Sequence, residues 1–123
     1  MRQSPSIISM ATAVAALTGT LALAPMTVQA ADASVVEQGK AVSFDRKKGN
    51  CLACHQIEGG SLPGNIGPPL VAMKARFPDR KKLFNQIYDA SSVNASTRMP
   101  PFGKHKALSN ADIDHIVDYL YTL

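Results

Sequence analysis

The chain has 123 residues, 46% of them hydrophobic, and a formal charge of +4, which allows one small domain. Its thirteen lysines and arginines are mixed with nine carboxylates, too even a scatter for a nucleic-acid-binding face. Two cysteines exclude a disulfide framework, and a second cysteine pair for a four-ligand zinc site is missing.

The first thirty residues read apart from the rest. Arg2 is the only charge before Asp32, an apolar and small-residue run extends from Ile7 to Ala24, and Pro25 is followed by Thr27-Val28-Gln29-Ala30. That is the layout of a secretory signal peptide, and cleavage is expected after Ala30. Ser9, Thr12, Thr18, Gly19 and Pro25 interrupt the run, making it poor for a membrane span of about 20 apolar residues. Residues 31–123 are therefore expected to form one exported domain with no membrane span. Loss of Arg2 takes its formal charge from +4 to +3.

Val35, Val36, Gly39, Val42 and Ser43 recur at helical spacing and predict an amphipathic helix from Asp32 to Phe44, capped by Asp32 or Ser34. Gly39 costs that helix about 1 kcal/mol of propensity relative to alanine. A second helix crossing there at close range would compensate. A basic turn, Arg46-Lys47-Lys48-Gly49-Asn50, then leads into Cys51-Leu52-Ala53-Cys54-His55.

C-x-x-C-H is the attachment pattern of a c-type haem. Cys51 and Cys54 would add across the haem vinyl groups as thioethers, and His55 would supply the proximal imidazole. A thioredoxin-like dithiol would need a βαβ context that the flanks do not supply; a local disulfide between the two cysteines is the plain alternative. With both thiols committed to haem, none remains for catalysis. A covalent haem would also be the largest apolar element of so small a core, so the haem-free chain is expected to fold poorly.

Residues 58–69 are too rich in Gly and Pro for helix or strand and read as a loop that wraps something. Leu70 to Phe77 is expected to form a short helix with Leu70, Met73 and Phe77 on one side. Pro78 ends it, and Asp79 caps a second helix from Arg80 to Ala90 whose apolar face is Leu83, Phe84, Ile87 and Tyr88. Arg80, Lys81 and Lys82 fall in its first turn, where the macrodipole disfavours cations; they read as a solvated face unless another use offsets that cost. Ser91 to Arg98 reads as a polar loop. In the closing helix Ser109 is the N-cap, Asp112 completes a near capping box, and Ile113, Ile116, Val117 and Leu120 form the buried stripe. No strand pattern persists, so the fold class is all-α.

A haem iron bound by His55 needs a second axial ligand, and Met73, Met99, His105 and His115 are the candidates. His115 lies about 200° round its helix from Ile113 and reads as a surface residue. His105 sits between Lys104 and Lys106 in an expected loop, and Met73 reads as core filling. Met99 is the expected ligand. Pro100 and Pro101 keep its backbone extended, so less entropy is lost when the thioether binds, and thioether ligation suits an electron carrier by raising the potential. Phe102, Tyr119 and Tyr121 are aromatic candidates for burial.

The order of helix, C-x-x-C-H, Gly67-Pro68-Pro69-Leu70, Met99 loop and C-terminal helix resembles the class I cytochromes c. The resemblance implies that the Pro68 carbonyl accepts a hydrogen bond from the proximal His55, orienting it and raising its basicity. Longer segments, Asp45 through His55, Gly64 through Leu70, Arg98 through Gly103 and Ile116 through Leu120, are similar to the SoxX family, the small monohaem subunits of the SoxAX cytochromes of bacterial sulfur oxidation. That likeness implies one covalent haem c, a periplasmic location and a SoxA-type cytochrome partner, dihaem or monohaem. It implies an electron-transfer subunit of an L-cysteine S-thiosulfotransferase complex that is not catalytic alone. The complex joins thiosulfate to a cysteine of the SoxYZ carrier protein, and electrons pass on to a soluble cytochrome. A free periplasmic shuttle cytochrome is the alternative, with Arg46, Lys47, Lys48 and Lys104 ringing the haem edge. A gas sensor or peroxidase would need a vacant sixth site, against which the Met99 loop argues.

Overall fold

The computed structural model describes residues 28–123. The signal-peptide reading falls on residues 1–27, outside the described residues, and on the three residues that begin the first helix. The described elements are α1 (Val28–Phe44), a 3-10 turn (Cys51–Ala53), α2 (Met73–Arg76), α3 (Arg80–Tyr88), α4 (Ala90–Val93) and α5 (Asn110–Leu120), with no strand among them. None of these helices is long and apolar enough to cross a membrane. Because α1 begins before Asp32 and Ser34, neither stands at its start; Ser34 instead accepts a hydrogen bond from Gln38 at 3.2 Å.

The pairing of α1 with α5 dominates the fold. Ile113, Ile116, Val117 and Leu120 are all buried on α5, as their spacing requires. The capping box is complete: Asp112 N–H donates to Ser109 Oγ at 3.0 Å, and Ser109 N–H donates to Asp112 Oδ2 at 3.1 Å. On α1, Gly39, Val42 and Ser43 are buried. A Cβ at Gly39 would overlap the His115 carbonyl and come within 3.0 Å of Ile116 N. The close helix crossing expected at Gly39 is present, backbone against backbone. Ser43, fully buried, donates to the Gly39 carbonyl at 2.8 Å and so leaves no unsatisfied hydroxyl. Phe44 meets Tyr119 edge-on with ring centroids 6.3 Å apart.

α3 is capped by Asp79, whose side chain accepts from Lys81 N–H at 2.9 Å. The misplaced cations of its first turn divide. Arg80 reaches α5, pairing with Asp118 and donating to the Asp114 carbonyl at 3.0 Å. Burial pulls its guanidinium down, but the bonds to Asp118 and Asp114 outweigh this and raise it. Lys81 and Lys82 are exposed, an ordinary solvated pair.

Two expectations are corrected. The helix expected over Leu70–Phe77 shrinks to the single turn of α2, because Leu70 N–H is taken by the Gln56 carbonyl and Met73 N–H by the Leu123 carbonyl. Ala72 is also left-handed, with φ 50°. The polar stretch after Tyr88 is not all loop. α3 stops at Tyr88, and Ala90 opens the short α4, where Ser92 Oγ donates to the Asp89 carbonyl at 2.7 Å.

Candidate haem site

The approach to the cysteines is set by backbone geometry at the end of α1. Gly49 N–H donates to the Val42 carbonyl at 3.1 Å, and Asn50 turns left-handed at φ 45°, a conformation asparagine tolerates better than most residues. The 3-10 turn follows, and His55 N–H closes on the Cys51 carbonyl at 2.8 Å. Both cysteines are half-buried. Burial pushes the Cys51 thiol up to about 11, against a hydrogen bond with Ser43 that lowers it.

The Gly- and Pro-rich segment folds back onto this turn. Gly64 N–H reaches the Leu52 carbonyl and Gly67 N–H the Cys54 carbonyl, each at 2.8 Å. His55 Nδ1 lies 2.7 Å from the Pro68 carbonyl oxygen. A carbonyl only accepts, so Nδ1 is the donor, and the neutral ring keeps its lone pair on Nε2. Gly67 lies flat against this imidazole: a Cβ there would sit 2.6 Å from Nδ1 and 2.9 Å from Nε2. Arg76 Nη1 holds the next carbonyl, that of Pro69, at 2.8 Å.

Cys51, Cys54, His55 and Met99 line a single cavity of about 510 Å³, a volume in the range of cofactor sites. Leu70, Met73, Leu83, Ile87, Leu108 and Ile116 supply much of its apolar wall. Four cations, Arg46, Lys48, Arg76 and Arg98, also line it, and no carboxylate does. The donor set fits a covalently attached haem: two thiols, an imidazole with its other nitrogen occupied, a thioether, and cations to meet the haem carboxylates.

The remaining expected residues separate clearly. Met99 N–H donates to Thr97 Oγ1 at 3.1 Å, and Gln86 Nε2 approaches its sulfur at 3.8 Å. The loop that follows is tied to the end of α3 by Gly103 and Lys104 N–H on the Tyr88 carbonyl, both at 3.1 Å. Met73 is buried in the same cavity, with Arg76 Nη1 at 3.5 Å from its sulfur. His105 is exposed, His115 is half-buried, and neither lines the cavity. Phe102 lines it, Tyr119 is buried beside Phe44, and the Tyr121 hydroxyl donates to the Phe77 carbonyl at 2.7 Å. Of the four cations expected to ring the haem edge in the shuttle alternative, Arg46 and Lys48 line the cavity. Lys47 is outside the lining, and Lys104 is paired with Asp89 at 2.8 Å, whose carboxyl that bond holds below the usual range. Arg76 and Arg98 line the cavity as well. Sequence reasoning missed these two, along with Gln86 and Thr97, because nothing in their local pattern marks them.

These helices around a C-x-x-C-H turn define a class I monohaem cytochrome c domain. A family model described as cytochrome c oxidase, cbb3-type, subunit III matches residues 34–120. The chain belongs to that family. It is 34% identical over 82 residues to cytochrome c-552 of Nitrosomonas europaea, covering 63% of this chain and 73% of that protein. It is 38% identical over 76 residues to an uncharacterized lipoprotein of Aquifex aeolicus, covering 61% of this chain but only 37% of the lipoprotein. In structure it is similar to a chain in the crystal structure of SoxXA from P. pantotrophus, with a TM-score of 0.63 and 27% identity over 70% of this chain and 79% of that one.

Proposed function

We propose that Cys51 and Cys54 carry one covalent haem c between His55 and Met99, and that the chain is the periplasmic electron-transfer subunit of a SoxAX-type thiosulfate-oxidising complex. In this reading residues 1–30 are a signal peptide cut after Ala30, and residues 31–123 are the working domain. The observation that carries the haem assignment is the gathering of both thiols, His55 and Met99 on one cavity whose charged lining is wholly cationic. The likeness to the SoxXA chain supports the choice of complex.

When bound, the haem supplies a one-electron iron couple. Every other part of the work falls to the protein. Pro68 fixes the His55 ring through Nδ1 and increases the donor strength of Nε2. Met99 would hold the group through its thioether, and a site so filled would exclude oxygen and peroxide. Arg46, Lys48, Arg76 and Arg98 neutralise the haem carboxylates and favour the approach of acidic partners. The chain has no cysteine beyond its haem pair, so the coupling of thiosulfate to a SoxYZ cysteine takes place on a SoxA-type partner. This subunit accepts the electrons and passes them to a soluble cytochrome.

The test is recovery of the tagged protein from thiosulfate-grown native cells, followed by a haem-stained denaturing gel. A stoichiometric second haem-bearing polypeptide is expected. A single small haem band from a monomeric protein would instead favour the free shuttle, a reading to which the match over most of cytochrome c-552 lends support.

A further inference from the structure

We propose that the ion pair between Asp89 and Lys104 is a latch that holds the Met99 loop shut over the cavity, with Asp89 a positioning residue for a thioether it does not touch. The inference rests on the reading of Met99 as an iron ligand. Beyond Met99 the chain comes to rest on the C-terminal end of α3. The Tyr88 carbonyl, an acceptor that the helix itself leaves unpaired, takes the N–H groups of both Gly103 and Lys104 at 3.1 Å. Gly103 is buried flat against the Tyr88 ring, where a Cβ would overlap Cδ2. Lys104 Nζ then closes the seat on Asp89 Oδ2 at 2.8 Å.

Asp89 is held ready for this contact. Its side chain is 15% exposed, against 56% for that of Lys104, and a carboxylate so shielded is costly without partners. Ser91 Oγ donates to Oδ1 and leaves Oδ2 for the ammonium, which also lies at the end of the helix that favours a cation. Pro100 and Pro101 connect the seat to the sulfur. Their fixed φ removes two of the hinges between Met99 and Gly103, and Phe102 N–H bonds the Pro100 carbonyl and His105 N–H the Pro101 carbonyl, each at 3.0 Å. An arm this stiff moves as a unit. Lifting Gly103 and Lys104 off α3 draws Met99 away from the cavity, and pinning them there keeps it in.

The test uses the haem-loaded protein in its oxidised form and follows the rate at which added cyanide displaces the thioether, a step paced by opening of the loop. Lys104→Gln should bind cyanide about two- to fivefold faster than the parent, the range of an exposed ion pair. Added salt should speed the parent by screening the pair and leave Lys104→Gln unchanged. Asp89→Asn should match Lys104→Gln, the double variant should be no faster than either, and Lys104→Arg should keep the parent's rate. Lys82→Gln is the charge control, removing the same charge from an exposed lysine of α3, and should change nothing. Hydrogen exchange at the Gly103 and Lys104 amides reads the seat independently of the iron and should quicken in Lys104→Gln.

Lys104→Gln with the parent's cyanide rate or the parent's amide exchange, or a Lys82→Gln effect as large, overturns the inference. So does a double variant whose effect is the product of the two single ones, because the residues would then act independently. Met99→Ala separates the two levels. Cyanide binding there as slow as in the parent overturns the ligand assignment and this inference with it. Fast binding there, with Lys104→Gln at the parent's rate, overturns the inference alone.

Discussion

Replacing Gly39 by alanine tests the α1–α5 crossing directly. Alanine is the better helix former by about 1 kcal/mol, so on propensity alone Gly39→Ala would stabilise α1. At this crossing the new methyl would overlap the His115 carbonyl oxygen by about 1.5 Å relative to ordinary contact, a gap no van der Waals surface absorbs. The obstacle is backbone of α5 and cannot rotate away like the tip of a side chain. The helices must separate, loosening Val42, Ile116 and Val117 together. Overpacking of this kind costs about 3 kcal/mol at the upper end of its usual range, leaving a net loss of about 2 kcal/mol after the propensity gain. For a domain this size that lowers the melting temperature by about 8–16 °C. The assay is thermal unfolding of the haem-loaded protein followed by circular dichroism. Gly59→Ala is the contrast, since Gly59 has φ 76° and nothing within 4 Å of a built Cβ, so only conformational strain of about 1 kcal/mol is at stake. A Gly39→Ala protein as stable as the parent would show that the crossing is not the close contact described.

Gly67→Ala should displace the His55 ring from Pro68, because the added Cβ would lie 2.6 Å from Nδ1; a reduced haem-to-protein ratio is expected, and an unchanged ratio and spectrum would count against it. The Asp112 carboxyl is held below its usual value first by the Ser109 hydrogen bond and then by Lys48. Its contribution is therefore complete above the unfolded carboxylate pKa of about 3.9 and is lost as pH falls through the lower folded value, where the unfolded chain binds more protons. Ser109→Ala should cost about 1 kcal/mol near neutrality and flatten the decline of stability below about pH 4, both read from urea unfolding across pH. Cys51→Ala/Cys54→Ala should lose most of its helical circular dichroism, and a native spectrum would remove haem from the folding argument. Met99→Ala should bind carbon monoxide where the parent does not, and equal binding by the two would argue against the thioether as ligand.

α5 is legible in the sequence because its determinants are local. Ser109 and Asp112 lie three residues apart, the stripe from Ile113 to Leu120 follows one period, and the structure places both as that pattern demands. Gly39 is legible for a related reason: an unfavourable residue on an apolar stripe implies a close neighbour, although not which one. The extent of α2 is not legible, because the N–H groups of Leu70 and Met73 bond to Gln56 and Leu123, partners that no sequence window contains. α4 hides in serines of weak helix propensity and exists by virtue of its tie to Asp89. The thiols, His55 and Met99 stand out by spacing and by the prolines that follow Met99. Arg76, Arg98 and Gln86 do not, since each is ordinary in its own segment and acquires its place only when the chain closes around the cavity.

The helix that opens the described fold and the helix that closes it are also each other's chief support. Such distant pairing is slow to form, because a long loop must close before any contact repays the lost entropy. A nascent chain that lacks residues 110–120 has nothing on which to pack Gly39, Val42 and Ser43, and it stays open. For as long as it does, Cys51 and Cys54 are presented on an unstructured polypeptide, accessible to whatever machinery attaches the haem. With a haem-free chain expected to fold poorly, closure over the thiols waits on two events, the arrival of α5 beside α1 and the joining of haem to the core, and neither alone completes it.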